Sequence, residues 1–135
     1  MAWFVASIVH AIVPLSEDGV RIPVFENAYL IQAKGYDEAC AEAERIGASY
    51  EGLDDAPTVA GSPAINRFLG VRKVLSVSNP PPFDQDEDRP LAGTELTYSY
   101  FEADSIEQAE ALARGEAVKI IYVDDAEYDE ELFPR

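Results

Sequence analysis

The sequence predicts an α+β fold of two ββα units, β-β-α-β-β-α-β in chain order, with an antiparallel sheet carrying two helices on one face. Three observations predict it. Two stretches, YLIQAKGYDEACAEAERIG from Tyr29 and SYFEADSIEQAEALARGEA from Ser99, share one plan: a strand-forming run gives way at Ala33 or Ala103 to a polar turn and an alanine-rich amphipathic segment. Ala33 aligns with Ala103 and Ala39 with Ala109, a constant offset of 70 residues (103 − 33). Strands made by hairpins and followed by helices also call for a helix layer on an antiparallel sheet. Each unit alone has too little to bury, and two together complete a core. A chain of 135 residues needs only one such core. A single domain over residues 1–135 is therefore expected, with pseudo-repeat halves of about 1–48 and 65–115.

The first strand is read from Trp3 to Val13. Trp3, Val5, Val9 and Val13 fall on one face, and Phe4, Ala6, Ile8 and Ile12 on the other, so the strand belongs in the middle of a sheet. Pro14 ends it and SEDG makes the turn. A second strand runs from Ile22 to Ala33, with Pro23 tolerated near its start. The first helix has Gly35 as N-cap, Tyr36, Ala39, Ala43 and Ile46 on one face, and Gly47 at the expected C-cap. In the second unit, Phe68–Val77 is the opening strand, with Gly70 marking a bulge, and Glu95–Glu102 is the next. Ser105 and Gln108 match a capping box, and Ile106, Ala109, Leu112 and Ala113 form a buried stripe before Gly115. Ala117–Val123 is the closing strand.

Three segments stand outside this plan: the connector Tyr50–Ala64, the proline-rich acidic loop at 79–93 and the acidic tail at 124–135. Acidic residues number 26 against 10 basic ones, for a formal net charge of −16. Such a chain repels phosphate backbones and anionic membranes and attracts cationic surfaces, so neither direct nucleic-acid nor membrane binding is expected. Cys40 is the sole cysteine, which excludes an intrachain disulfide and a cysteine-based zinc site. The N-terminal apolar run has no preceding Lys or Arg and is interrupted by His10, so it reads as a strand rather than a secretory segment. A cytoplasmic protein is expected.

At WFVASIV, YLIQA, YDEACAEAERIG, FLGVRKVLSV and GTELTYSYFEADSIEQA the chain resembles the bacterial family called domain of unknown function 4288. Trp3, Phe4, Ala6, Ala33, Ala39, Ala43, Gly47, Gly70, Val71, Gly93, Thr94 and Glu95 carry the resemblance. These are core and turn residues spread over most of the chain, so the resemblance implies a fold and no catalytic residue. The insertion at 51–64 and the acidic tail depart from the short core of that family.

No residue pattern commits to chemistry. His10, the sole histidine, lies in an apolar strand without a nucleophile elbow or oxyanion loop nearby, and reads as a buried, hydrogen-bonded strand histidine. Cys40 sits between Glu38 and Glu42, whose charge suppresses nucleophilicity, and is read as structural. Asp84, Asp86, Asp88 and Glu95 occupy positions 1, 3, 5 and 12 of a calcium loop, but position 6 holds Arg89 instead of glycine and Pro90 follows. The match is read as coincidence in an acid-rich segment. Tyr98, Tyr100 and Phe101 are assigned to packing, because few cations accompany them to hold phosphates.

The expectation is thus a non-enzymatic acidic interaction protein without metal or cofactor, in its most specific form a bacterial immunity or antitoxin-like protein. It would dock on a basic protein partner, such as a cognate toxin, by electrostatic steering and cover its cationic site. The carboxylates expected to make that contact are Asp84, Asp86, Glu87, Asp88, Asp124, Asp125, Asp129, Glu130 and Glu131. Phe83, Tyr128, Leu132 and Phe133 are the expected apolar anchors. The alternatives are a homo-oligomeric scaffold, with a homodimer as its simplest form, and a small-ligand-binding enzyme with a site between helices and sheet.

Overall fold

The computed structural model describes residues 1–16, 21–51, 57–59, 61–79 and 89–123. It is a mixed α+β structure with antiparallel strand pairing and two helices. The chain forms two compact units, Met1–Thr97 and Tyr98–Arg135.

In the first unit, β1 (Ala2–Pro14) pairs antiparallel with β2 (Val24–Ala33) on one side and β4 (Ser62–Val77) on the other. The short β3 (Thr58–Val59) joins β4, so the sheet order is β2-β1-β4-β3. The central position of β1 follows from its two apolar faces: Phe4, Ala6 and Ile8 are buried on one, Val5 and Ala11 on the other. A residue of this kind contributes about 2 kcal/mol when it leaves water, so an edge position would forfeit much of that gain.

Helix α1 (Tyr36–Ser49) lies on the even-numbered face of β1, where Ala39 and Ala43 pack with Phe4, Ala6, Ile8, Ile31, Ala33 and Val74. Alanine at the contact lets the helix approach closely. Gly35 is the N-cap in an extended conformation without a side-chain cap bond, and Ala39 N–H makes the first helical bond to its carbonyl at 3.0 Å. Asp37 and Glu38 in the first turn face the positive end of the helix dipole. The helix runs past Gly47 to a C-cap at Tyr50, which corrects the expected end. Gly47 is instead a close-approach position: a Cβ there would stand 2.3 Å from Cε1 of Phe68.

The β1–β2 ladder is regular, from Ala2 opposite Ala33 to Ala11 opposite Val24. In β4, by contrast, Arg72 and Leu69 are extra residues where the register against β1 shifts, on either side of Gly70. These two bulges set Val71 opposite Ile8 and Phe68 opposite His10. On the odd-numbered face, Glu26 of β2 pairs with the bulged Arg72, whose Nε donates to Oε2 at 2.7 Å. That hydrogen bond, above all, holds the Glu26 carboxyl below its ordinary range.

In the second unit, β5 (Tyr100–Glu102) pairs antiparallel with β6 (Ile121–Val123), and α2 (Ile106–Ala113) lies between them in sequence. Phe101 stands opposite Tyr122, with ring centroids 5.5 Å apart. The Ser105 hydroxyl accepts from Gln108 N–H at 3.2 Å, as the capping box predicts. At the other end Gly115 has φ +79°, its N–H donates to Leu112 C=O and Glu116 N–H donates to Ala111 C=O, which is a Schellman motif.

Two sequence expectations change in detail. β5 covers three residues rather than Glu95–Glu102, and β6 three rather than Ala117–Val123. The expected stripe of α2 is not buried: Ile106 is 66% exposed, Ala113 is exposed, and Ala109 and Leu112 are half-buried.

Candidate functional site

Past the end of α1, the even-numbered face of the sheet is left uncovered by the helix. The next residues of the alternation there are His10 and Ile12 of β1, flanked by Phe25, Asn27 and Tyr29 of β2 and by Asn66 of β4. Tyr50, the C-cap of α1, closes one side, and the result is a cavity of about 190 Å³. The end of the helix is tied down locally: the Glu51 carboxylate accepts the Phe68 backbone N–H at 2.9 Å, next to the bulge at Leu69. This contact fixes the position from which Tyr50 projects.

The cavity walls are largely aromatic. Tyr29 and Tyr50 stack with centroids 5.8 Å apart and planes 24° from parallel. Tyr50 also presents an edge-on geometry to His10 at 6.4 Å, and Phe68 packs against the imidazole at 5.9 Å. Burial, with a contribution from Tyr50, pushes the Tyr29 phenol above its ordinary value, so it stays neutral and able to hydrogen-bond. Among the described residues that line the cavity there is no Asp, Glu, Lys or Arg.

His10 is buried, as its strand position predicts, but the expected hydrogen bond is missing: neither Nδ1 nor Nε2 meets a partner among the described residues. Cys40 is half-buried in α1 beside the core, in keeping with a packing role. Among the described residues no group of three or more His, Cys, Asp or Glu converges as metal ligands. No helix among them is long and apolar enough to cross a membrane.

The expected partner-binding residues, Phe83, Asp84, Asp86, Glu87, Asp88, Asp124, Asp125, Tyr128, Asp129, Glu130, Glu131, Leu132 and Phe133, lie outside the described residues. The two ends of the acidic loop are described, however, and they meet. The buried side chain of Asn79 donates through Nδ2 to Arg89 C=O at 3.0 Å, while its Oδ1 accepts from Leu91 N–H at 3.2 Å and the Thr94 hydroxyl at 2.8 Å. The described ends of the loop are therefore tied to one another. Sequence reading missed both this clasp and the cavity, since an Asn before a proline run and a lone His in a strand carry no local signal of what they will face.

No protein-family model, curated protein or solved structure matches the chain.

Proposed function

We propose that the protein is a non-enzymatic acidic interaction protein that docks on a basic protein partner. One observation carries this reading: the negative charge is concentrated rather than spread. Ten of the 26 acidic residues fall in two short runs, 84–88 and 124–131, that hold no Lys or Arg. The rest of the chain carries 16 acidic residues (26 − 10) against all 10 basic ones. Concentrated negative runs are suited to steering a cationic surface, which an evenly spread acidic coat for solubility would not require. The Asn79 clasp supports the same reading, because it ties together the residues that flank Asp84, Asp86, Glu87 and Asp88 in the chain.

In its specific form this is a cytoplasmic bacterial immunity or antitoxin-like protein that covers the cationic site of a toxin, within the family that the sequence resembles. The reading includes the duplicated ββα plan. Its support is that α1 begins at Tyr36 and α2 at Ile106, the same 70-residue offset (106 − 36) that relates the two sequence stretches.

The test is affinity capture with the full chain at about 50 mM and about 500 mM salt, a range over which screening shortens the reach of surface charge. The comparison is a variant in which Asp84, Asp86, Glu87, Asp88, Asp124, Asp125, Asp129, Glu130 and Glu131 become Asn or Gln. A basic protein retained at low salt, released at high salt and lost by the variant is the expected result. Capture that neutralisation leaves unchanged refutes the proposal, and a partner-free homodimer in light scattering favours the scaffold.

A further inference from the structure

His10 is only 4% exposed, lines a cavity, and has two ring nitrogens without a partner among the described residues. Buried polar atoms are nearly always satisfied, so an orphaned pair demands an explanation. A neutral imidazole carries one N–H donor and one lone-pair acceptor, and whatever completes it must offer both. Asn27, on the neighbouring strand and lining the same cavity, also brings a donor and an acceptor.

From this geometry we infer that the cavity between His10, Asn27, Tyr29 and Tyr50 binds a small, uncharged, planar molecule carrying both hydrogen-bond donor and acceptor, such as an aromatic amide or a nucleobase. Size comes first. A cavity of about 150 Å³ accepts benzene, so the 190 Å³ here takes one substituted ring or a compact fused pair. Shape follows from the walls, since the aromatic side chains of Phe25, Tyr29 and Tyr50 line the cavity and reward a flat ligand with aromatic contact. Charge follows from the described lining, which holds no Lys or Arg to take an anion and no carboxylate to pair a cation, while the chain as a whole repels anions at −16. Ordered water would also complete the imidazole, but it gains nothing from the aromatic walls, which therefore favour the ring.

None of the residues named for this site belongs to the acidic segments, and a single-histidine chain makes it easy to read, because the imidazole gives one set of ring resonances. The full chain is titrated with nicotinamide and with adenine to about 10 mM while those resonances are followed by NMR. Nicotinate serves as the charged isostere and cyclohexanecarboxamide as the non-planar amide. Saturable shifts are expected for at least one planar probe, with a dissociation constant on the order of a millimolar or below, in keeping with the best efficiencies of ligands of about ten atoms. Nicotinate and cyclohexanecarboxamide should bind about tenfold more weakly, and His10→Phe, which keeps the ring and removes both nitrogens, should weaken the planar probe to a similar degree, read there from the broadening of the probe's own resonances. Should His10→Phe fail to fold, Asn27→Ala at its exposed strand position must show the loss. Unmoved His10 resonances with both planar probes, equal binding of either control, or undiminished binding by the folded variant overturns the inference.

Discussion

Replacing Gly47 by alanine sets two opposed effects against each other. In a helix interior the change ordinarily stabilises by about 1 kcal/mol, because glycine loses more backbone freedom on folding. Here the new Cβ would lie 2.3 Å from Cε1, 2.6 Å from Cδ1 and 2.7 Å from Cζ of Phe68. Carbon atoms rest at about 3.5 Å or more, so roughly 1 Å of movement is needed. The ring has little room to yield, since it packs against the core and against His10. Overpacking of this kind costs about 1–3 kcal/mol, and a rigid ring against a helix backbone belongs at the upper end. The net expectation is a loss of about 2 kcal/mol. In a Phe68→Ala background the obstruction is gone and Gly47→Ala should stabilise by about 1 kcal/mol, giving a coupling of about 3 kcal/mol. Urea unfolding followed by the fluorescence of Trp3, the sole tryptophan, reports on the first unit and yields both sides of the cycle. If Gly47→Ala stabilises the native chain, or acts equally in both backgrounds, the close approach of helix and ring is not what holds glycine there.

Two further outcomes follow from local contacts. Ser105→Ala removes the acceptor for Gln108 N–H, and Gly115→Ala forces a side chain onto φ +79°; each should cost α2 about 1 kcal/mol, read as faster amide exchange across residues 106–113. The hydrogen bond from Arg72 depresses the Glu26 pKa below its unfolded value, so its contribution is present above the unfolded carboxylate range and is lost as pH falls through the folded value. With the Arg72 and Glu26 side chains 25% and 40% exposed, that contribution is discounted for solvent screening to at most about 1 kcal/mol. Glu26→Gln should therefore be slightly less stable than the native chain at pH 7 and converge with it in acid, as denaturant midpoints across pH would reveal; a gap that widens in acid contradicts the assignment.

The elements most legible in the sequence were those with short-range signals. The two-faced apolar run of β1 required a central strand, and it has a partner on each side. Gly70 pointed to a bulge, and the two irregularities of β4 flank it. Ser105, Gln108 and Gly115 delimited α2 through bonds that span only a few residues. Gly47 misled for an instructive reason: a glycine that ends helices through left-handed freedom looks the same in sequence as one that admits a neighbouring ring. Nor did His10 announce a cavity, because its walls come from positions 25, 27, 29, 50 and 66.

The amino-acid sequence by itself determined where the two helices begin, the central place of β1, and the uneven distribution of charge, all of which depend on side chains near one another in the chain. Tertiary structure alone decided that β4 joins β1, that Asn79 ties together the described ends of the acidic loop, and that an imidazole without a hydrogen-bond partner among the described residues lies beside Tyr50. The physical reason is that backbone hydrogen bonds are chemically alike at every position. Choosing among strand partners and registers therefore rests on how much apolar surface the whole arrangement buries, a sum over distant residues that no local stretch contains.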